Sequence, residues 1–463
     1  MKVLVFIDHD IICRHFIMSG ALRPLVETAD IRFVFPEVGG TRVTLDPDGL
    51  SLGAPHDRLP IDARRQQMWR WLLYADQLKW RLGAQEAAIR RIRWETLGWK
   101  AALLLTVAGL PGIEWIFRRV IERRMKKAPN TGLSDLLVRT KPDLVLHPTV
   151  LDGVFCNDLV FECKARGVPV VFAMNSWDNP STKRAMVGAP DYLLVWGAQT
   201  REHAIRFVGA APDRVVSFGA AQFDVFRTEP RIDRATFCAD HGIDTKQRIV
   251  LFAGSNAQTD EFSALAAIDE AIARGSLPGV AVVYRPHPWG GGGRNGARLA
   301  GAKFRHVVVD RTMHSYIEAL GRGDQRITLP DYRDTHDLLS TVDAVVSPLS
   351  TILLEGIMHG LPVVVFAVGG EDQSRLLARI LPMVHFDEFL KLPDMPIARS
   401  VDELIALMPR IADAVDGPAL GARLKQKAEW FVSPFDRPWN QRIVEFLTSR
   451  AGTSARVKTK ATE

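Results

Sequence analysis

The sequence predicts an α/β fold of two Rossmann-like domains, with a helical insertion rich in Trp and Arg in the first domain. A chain of 463 residues is too long for one ordinary hydrophobic core. Short apolar runs rich in Val, Ile and Phe alternate with helical patterns, as in βαβ units. The alternation pauses once, between residues 219 and 246, and then resumes with a new apolar run. These three observations indicate two successive doubly wound sheets.

Continuous apolar runs bounded by Pro, Gly or Asp are typical of parallel strands that are buried on both faces of a sheet. In the two halves of the chain such runs cover residues 3–7, 31–35, 144–147, 168–173 and 192–196, then 249–253, 280–284, 327–329, 344–347 and 363–366. The helical patterns between them cover residues 155–166, 200–208, 261–274, 350–359 and 371–379.

The expected domain limits follow from this alternation. The first domain covers residues 1–235, including the insertion at 64–127, and the second domain covers 246–432. A helix at 433–448 is expected to pack back on the first domain. The small, polar and basic tail at 449–463 is expected to be disordered.

The composition limits both the class and the compartment. Hydrophobic residues form 47% of the chain and charged residues 24%, which excludes a mainly disordered, collagenous or disulfide-stapled protein. The four cysteines show no metal-ligand spacing, which indicates reduced thiols in a cytosolic protein. The N-terminal apolar run is too short for a signal peptide, and no uncharged run reaches the roughly 18 to 20 residues of a membrane span.

The insertion at 64–127 carries fifteen Lys or Arg against five Asp or Glu, a net charge of +10, whereas the whole chain has +6. It also holds six of the eleven tryptophans. Trp favours the headgroup zone of a bilayer and cations attract anionic lipid, so we expect a cytoplasmic protein that binds peripherally to the inner face of the cell membrane. The residues expected to contact the membrane are Trp69, Trp71, Trp80, Arg118 and Arg119. Packing of these tryptophans on the first domain is the alternative, and nucleic acid is disfavoured because no recognition module accompanies the charge.

Arg285 and His287 form the first candidate phosphate site. They alternate with Pro after the strand at 280–284, which leaves both side chains with little entropy to lose. Arg offers a fork that suits phosphate, His can donate to a phosphoryl oxygen, and ligands of open α/β sheets bind beyond the carboxyl ends of strands. A strand-end turn with a merely capped His is the alternative.

The segment Ser347-Pro-Leu-Ser-Thr351 is the second candidate, because it leads from a strand into a helix whose first turn favours an anion. The hydroxyls of Ser350 and Thr351 can cap this helix or bind a phosphate. Glu355 lies one turn further along, where a carboxylate could accept hydrogen bonds from ribose hydroxyls. The alternative is an ordinary capped helix with an exposed Glu.

Residues 175–183 of the first domain gather hydrogen-bonding groups that suit a sugar or an acceptor. Asn175, Asn179 and Lys183 supply amides and a cation, and Trp177 could stack on a sugar face. An Asx-rich turn with a helix cap is the alternative.

Candidates for a general base on an acceptor hydroxyl are, in falling order, Asp178, His15 and Asp10. The last two come from the loop after the first strand, in which either His (His9 or His15) or either Asp (Asp8 or Asp10) could act as the base. No His or Cys spacing indicates a metal, so none is expected.

Taken together, Arg285-Pro-His-Pro288, Ser347-Pro-Leu-Ser-Thr351 with Glu355 and Gly360-Leu-Pro362, and the segment 176–183 resemble the GT-B glycosyltransferases of bacterial surface-polysaccharide synthesis, the CDP-glycerol glycerophosphotransferase-like proteins among them. The resemblance covers roughly residues 140 to 447. It implies that the second domain binds the donor nucleotide, with Arg285, His287, Ser350 and Thr351 at the phosphates and Glu355 at the ribose.

The resemblance also implies a metal-independent, inverting transfer of a sugar to a surface-glycan, polyprenyl-linked or other lipid-linked acceptor. No cofactor is expected beyond the nucleotide-activated sugar, whose nucleotide (CMP, CDP or UDP) stays open. The insertion departs from the teichoic-acid enzymes, which puts a glycerol-phosphate substrate in doubt. The alternatives are a polyol-phosphate transferase, a nucleotide-sugar epimerase of the same fold and a non-catalytic scaffold for polysaccharide assembly.

Overall fold

The computed structural model describes residues 1–37, 46–152, 155–183, 186, 188–255, 260–287, 304–314, 330–367 and 380–460. The chain divides into two compact units: unit 1 consists of Met1–Asp224 and Trp430–Glu463, and unit 2 of Val225–Glu429. The strand predicted at 327–329, the helix predicted at 371–379, and Pro288 of the proline-flanked motif lie outside the described residues.

Unit 1 is built on a parallel sheet of seven strands in the order β3-β2-β1-β4-β5-β6-β7. The strands are β1 (Lys2–Phe6), β2 (Asp30–Pro36), β3 (His56–Leu59), β4 (Leu144–Thr149), β5 (Val170–Met174), β6 (Tyr192–Val195) and β7 (Val215–Ser217). The apolar residues of β1, β2, β4 and β5 are almost fully buried, as strands covered by helices on both faces require.

The helices of unit 1 alternate with these strands. They are α1 (Asp10–Ile12), α2 (Arg23–Thr28), α3 (Ala63–Leu78), α4 (Ala84–Leu97), α5 (Trp99–Ala108), α6 (Ile113–Lys127), α7 (Thr131–Thr140), α8 (Cys156–Ala165), α9 (Asn179–Thr182) and α10 (Ala198–His203). A π-helical turn, Cys13–Met18, continues α1, and a second one, Ala204–Val208, continues α10.

The insertion forms four helices, α3 to α6, in the crossover between β3 and β4, where the sequence predicts two or three. It is fixed to α8 by a buried polar cluster. The Arg65 guanidinium donates to Asp158 at 2.6 and 2.9 Å, and Asn130 Nδ2 donates to the other oxygen of that carboxylate at 2.9 Å. Arg65 also donates to the carbonyl oxygens of Met125 and Ala128 at the end of α6.

Trp69 belongs to the interior of the insertion, so its predicted contact with a membrane is wrong. Its indole stacks on Phe161 at 6.0 Å between ring centroids, and Nε1 donates to Asp158 at 3.4 Å. Only 8% of Trp69 is exposed, because it packs in a core with Leu72, Leu73, Ile121 and Met125. Trp71, Trp80 and Arg119 are exposed, and Arg118 is half-buried.

Unit 2 is built on a parallel sheet of six strands in the order β10-β9-β8-β11-β12-β13. The strands are β8 (Arg248–Ala253), β9 (Val280–Arg285), β10 (Val307–Val309), β11 (Ala344–Ser347), β12 (Val363–Phe366) and β13 (Ile397–Ala398). The described helices are α11 (Arg234–His241), α12 (Glu261–Ala273), α13 (Tyr332–Thr341), α14 (Thr351–Met358), α15 (Val384–Leu390), α16 (Val401–Ile411) and α17 (Asp416–Lys427).

The chain returns to unit 1 at its C-terminal end. Helix α18 (Trp439–Lys460) places Trp439, Ile443 and Leu447 in the same core as β1 and β2. Asp224 accepts from the backbone N–H groups of Trp439 and Asn440 at 2.7 and 2.8 Å and so caps the start of this helix.

Several predicted limits differ from the structure. Helix α18 begins at Trp439 and runs to Lys460 instead of covering 433–448, and unit 2 ends at Glu429 instead of 432; no Pro interrupts the chain between 448 and 460. The division between the units falls at Asp224/Val225, before the predicted limit at 235, since α11 and the segment before it pack on unit 2. In that segment Arg231 binds Asp337 at 2.7 Å, and on α11 Arg234 binds Asp343 at 2.9 Å.

Candidate functional site

Helix α14 begins directly beyond the carboxyl end of β11 in unit 2. Ser350, its N-cap residue, has an extended backbone (φ −150°, ψ 154°), and its side chain makes no capping hydrogen bond. Ser350 and Thr351 are both half-exposed. Because the first N–H groups of a helix have no partner within the helix, this end offers donors and positive dipole to an anion.

Two glycines determine the position of α14, one by close packing and one by its backbone conformation. A Cβ at Gly356 would lie 3.0 Å from Val345 Cγ2 and 3.3 Å from Val363 Cγ1, so α14 lies tightly on β11 and β12. Gly360 ends the helix with φ +82°, a conformation that favours glycine. The segment Gly360-Leu-Pro362 therefore turns the chain from α14 into β12.

Glu355 lies within α14 with 6% of its surface exposed. The alternative prediction, an ordinary capped helix with an exposed Glu, is therefore wrong about this side chain. Its predicted contact with a ribose stays a prediction. Ser347, the last residue of β11, is fully buried, and its hydroxyl finds no hydrogen-bond partner among the described residues.

A second carboxylate, Glu261, lies at the loop that follows β8. Its two oxygens accept from the backbone N–H of Ser255 at 2.8 Å and from the Tyr284 hydroxyl at 2.6 Å. Burial, followed by the adjacent Glu261 charge, raises the pKa of Tyr284, which keeps its hydroxyl a donor. A Cβ at Gly254 would lie 2.6 Å from Glu261 Oε2 and 3.0 Å from His287 N, so the β8 and β9 loops lie close together.

Arg285 takes part in a buried ion pair in this structure. Its guanidinium lies 3.3 Å from Asp310 and donates to Thr335 Oγ1 at 3.2 Å. Burial acts to raise the pKa of Asp310, but the Arg285 charge together with hydrogen bonds from His241 and Thr312 outweighs burial and holds this pKa below its ordinary value. As placed, Arg285 ties β9 to the residues after β10 and to α13, whereas His287 is half-buried in the following loop. Phosphate contacts by either residue stay a prediction.

Unit 1 gathers polar side chains beyond the carboxyl ends of β1, β4 and β5. His15, in the first π-helical turn, contacts Asn175 at the end of β5, with 2.9 Å between Nδ1 and Oδ1. With the amide oxygen as acceptor, Nδ1 carries the proton and Nε2 is the basic nitrogen of the ring. Burial, followed by the nearby Arg14 charge, lowers the pKa of His15 to about 3, so the ring is neutral near pH 7.

Two histidine and aspartate pairs lie in this cluster. His147 Nδ1 donates to the Phe6 carbonyl at 3.1 Å, and its Nε2 lies 3.5 Å from Asp8 Oδ2. His9 Nδ1 lies 2.6 Å from Asp10 Oδ1. Asp8 and Asp10 are each 2% exposed; both oxygens of Asp8 and Oδ2 of Asp10 accept no hydrogen bond from a described residue. Buried carboxylate oxygens without donors are costly, which marks them as candidate functional groups.

The segment at 175–183 forms a structured turn. The predicted stacking of Trp177 on a sugar face is wrong. Trp177 is buried edge-on against Phe431 at 5.5 Å, so its ring cannot stack on a sugar. Asn179 is buried and accepts from Ser176 N at 2.9 Å, and Lys183 pairs with Asp152 at 2.8 Å. As placed, Asn179 and Lys183 stabilise the turn itself, and their contacts with a sugar or an acceptor stay a prediction.

Asp178 stays half-buried beside this turn. Its carboxylate oxygens have only long contacts, 3.4 Å to Asn179 Nδ2 and 3.5 Å to Thr182 Oγ1. Its role as a general base stays a prediction.

His147, Glu261 and Tyr284 are not among the site residues that the sequence predicts. His147 interrupts the apolar run of β4, and Tyr284 ends the predicted strand directly before Arg285. A polar residue in a buried strand is the signal that could have found both. In the described part of the chain, no three His, Cys, Asp or Glu side chains lie together as a metal site requires.

No family model matches this sequence, and no curated protein matches it significantly. Solved structures do match. A protein assigned as a UDP-N-acetylglucosamine 2-epimerase from Listeria monocytogenes gives a TM-score of 0.56 at 13% identity, over 97% of this chain and 96% of its own. A variant of the wall teichoic acid polymerase TagF gives 0.52 at 8% identity, over 98% of this chain and 90% of its own.

A third structure, MnaA of S. aureus with UDP, gives a TM-score of 0.50 at 12% identity, over 97% of this chain and 96% of its own. The chain has a GT-B-type fold. The fold class that the sequence predicts is therefore confirmed, with seven strands in one parallel sheet and six in the other. At these identities the likeness shows the fold alone.

Proposed function

We propose that this chain is a glycosyltransferase, which moves a sugar from a nucleotide-activated donor to a surface-glycan or lipid-linked acceptor. The N-terminus of α14 carries the proposal, because its donors lie beyond a strand end and are not capped by the Ser350 side chain. The hydroxyls of Ser350 and Thr351 would bind the donor phosphates, and Glu355 would bind the ribose. The GT-B-type fold, shared with a structure that holds UDP, supports this assignment.

In the metal-independent, inverting form that the resemblance implies, the acceptor oxygen attacks the anomeric carbon as a base removes its proton. The nucleotide leaves with the electrons of the broken bond. The N-terminal N–H groups and hydroxyls of α14 would stabilise the charge that develops on the leaving diphosphate.

Unit 1 would supply the base. The candidates are Asp178, His15 and Asp10, and Asp8 of the same loop gains weight because both its oxygens lack hydrogen-bond donors among the described residues. Asn175 would act on His15 as a positioning residue, since its amide oxygen selects the tautomer with a basic Nε2.

The test is a thermal-shift titration with UDP, CDP, CMP and GDP on the wild type and on a Ser350→Ala, Thr351→Val variant. We expect one nucleotide to raise the melting temperature of the wild type, and the variant to bind it about tenfold more weakly, as loss of one or two phosphate hydrogen bonds implies. Ser400→Ala removes a hydroxyl that caps α16 by accepting from Glu403 N at 3.0 Å. This control is expected to lower stability without changing the shift that the nucleotide produces. If no nucleotide shifts the wild type, the donor site is refuted and the scaffold alternative gains.

A nucleotide-sugar epimerase is the second candidate, and the Listeria structure assigned to that activity favours it. An epimerase converts its nucleotide sugar without any acceptor, whereas a transferase releases the nucleotide only when an acceptor is present. Incubating the identified nucleotide sugar with enzyme alone separates the two. If the likeness to TagF extended to the reaction, this chain would be a polyol-phosphate transferase. Such an enzyme would respond to CDP-linked polyols in the same thermal-shift screen.

A further inference from the structure

The exposed apolar side chains of this protein are concentrated on the helical insertion. Of the sixteen large apolar residues that are exposed in the described part of the chain, thirteen lie between Trp71 and Val120. Such a concentration marks an interaction surface, because single exposed apolar residues are normally scattered.

Helices α5 and α6 carry the largest share of this surface, and each has two faces. Helix α5 packs Leu105 and Ala108 against Ala75 and Leu78 of α3. Its other side exposes Trp99, Leu103 and Val107, spaced by four residues, together with Leu104.

Helix α6 repeats this arrangement. It packs Ile121 and Met125 against α3 and exposes Ile113, Ile116 and Val120, which share one side of the helix.

No single helix in the described residues is both long and apolar enough to cross a bilayer. Helices α5 and α6 are long and apolar enough to cross a bilayer only when they are taken together, and their axes are bent by 97° where they join. Since the inner faces of both helices pack on α3, lipid could surround only their outer faces. The geometry therefore suits a surface that lies on a membrane.

The basic residues of α6 lie toward its C-terminal end, after most of its exposed apolar residues. The exposed or half-exposed basic residues are Arg118, Arg119, Arg123, Arg124, Lys126 and Lys127. None of them appears in an ion pair among the described residues, so their charge is available to an external anion. An exposed indole lies beside a cation at Trp115 and Arg119 (5.1 Å), at Trp99 and Lys100 (5.6 Å), and at Trp80 and Arg90 (4.8 Å).

We propose that the exposed face of α5 and α6 docks on an anionic membrane. Trp99, Leu104 and Trp115 enter the headgroup zone, and the basic end of α6 pairs with lipid phosphates. A bilayer is favoured over a protein partner because the surface combines aromatic side chains with unneutralised cations and has no carboxylate ring to specify a partner. This inference is independent of the reaction that the strand-end residues catalyse.

Co-sedimentation of the full chain with vesicles tests the proposal. The wild type is expected to bind vesicles that contain phosphatidylglycerol, and to bind phosphatidylcholine vesicles or high-salt samples much more weakly. The exposed triple variant Trp99→Ala, Leu104→Ala, Trp115→Ala is expected to weaken binding about tenfold or more, and so is Arg123→Gln with Lys127→Gln. The matched control, Val138→Ala with Val415→Ala, removes exposed apolar groups elsewhere and is expected to bind as the wild type does.

Three outcomes would overturn the proposal: no binding of the wild type to anionic vesicles, equal binding by the triple variant, or a change from dimer to monomer in that variant without vesicle binding. The last would assign the face to a second copy of the chain. The nucleotide-induced thermal shift is measured on the same variants and is expected to stay at its wild-type size. Failure of the membrane proposal is therefore distinguishable from failure of the donor site.

Discussion

Asp8 and Asp158 are two buried aspartates of unit 1 with opposite surroundings. Asp158 accepts from Arg65, Asn130 and Trp69. Asp8 accepts a hydrogen bond from none of the described residues, and its Oδ2 lies 3.5 Å from His147 Nε2. A carboxylate that is held in the interior without donors is a cost to stability, which proteins retain mainly at functional sites.

This contrast predicts opposite effects of the same substitution. Asp8→Asn is expected to raise the free energy of unfolding by about 1 kcal/mol, because it removes a buried charge that lacks donors. Asp158→Asn is expected to lower it by about 3 kcal/mol, because Arg65 then stays buried without its counter-charge. Urea denaturation measures both, and an activity assay on Asp8→Asn is expected to show loss of turnover. A destabilised Asp8→Asn would mean that its pair with His147 already compensates the charge.

At the level of single residues, the sequence identifies which types are suited to a site but not which of them reach one. By residue type, Trp69 is suited to contact a membrane and Trp177 to stack on a sugar, as the sequence predicts, but both are buried. Phe161 and Phe431, which cover them, are distant in sequence, so no local pattern could show their burial. Arg285 likewise meets Asp310 only through the pairing of β9 with β10.

Helix α14 shows how an element is fixed by residues outside it. A Cβ at Gly421 in α17 would collide with the carbonyl oxygen of Gly360, so the middle of α17 passes directly over the turn that ends α14. This contact accounts for the glycines on both elements.

Gly421→Ala is therefore expected to lower the free energy of unfolding by about 2 kcal/mol through overpacking, although Ala is the better helix former. It is also expected to weaken nucleotide binding, because α14 must shift. Ala419→Gly in the same helix is the control, with an expected loss of about 1 kcal/mol and no change in binding. If thermal and urea denaturation showed that Gly421→Ala stabilises the protein, this would contradict the prediction, because α17 and the turn at Gly360 would then be able to separate without cost.

The strands show which elements a sequence reveals. Among the described strands, all nine interior strands of the two sheets are predicted, and the four that are not predicted, β3, β7, β10 and β13, lie at the edges. Interior strands are buried on both faces and read as continuous apolar runs. Edge strands are short and partly exposed; β3, for example, reads His-Asp-Arg-Leu.

Each unit of the molecule has its own core, and each contains a histidine whose pKa is strongly lowered: the buried His15 in unit 1 and the half-buried His359 in unit 2. In unit 2, burial, followed by the neighbouring His336 and Lys425 charges, lowers the pKa of His359 to about 3, as for His15 in unit 1. His359 Nε2 lies 3.3 Å from His336 Nδ1. In the unfolded chain both rings take a proton near their ordinary pKa of about 6.5, which the folded units do not take until about pH 3.

Stability is therefore expected to be greatest above about pH 6.5 and to fall as the pH drops toward 3, by up to about 1.4 kcal/mol per pH unit for each histidine. His15→Gln and His359→Gln are each expected to make the melting temperature less sensitive to pH between 6.5 and 4. The exposed His314→Gln is the control and is expected to keep the wild-type pH dependence. Equal acid sensitivity in all four proteins would contradict burial of neutral rings.

The sequence by itself determined the fold class, the interior strands and the concentration of charge and tryptophan in the insertion, because burial on two faces and helical composition are local properties of the chain. Tertiary structure decided which of those tryptophans lie outside, and it left both oxygens of Asp8 without hydrogen-bond donors from the described residues. These features depend on contacts between residues that are far apart in sequence. Burial and pairing are set by such partners, so they appear only once the chain has folded.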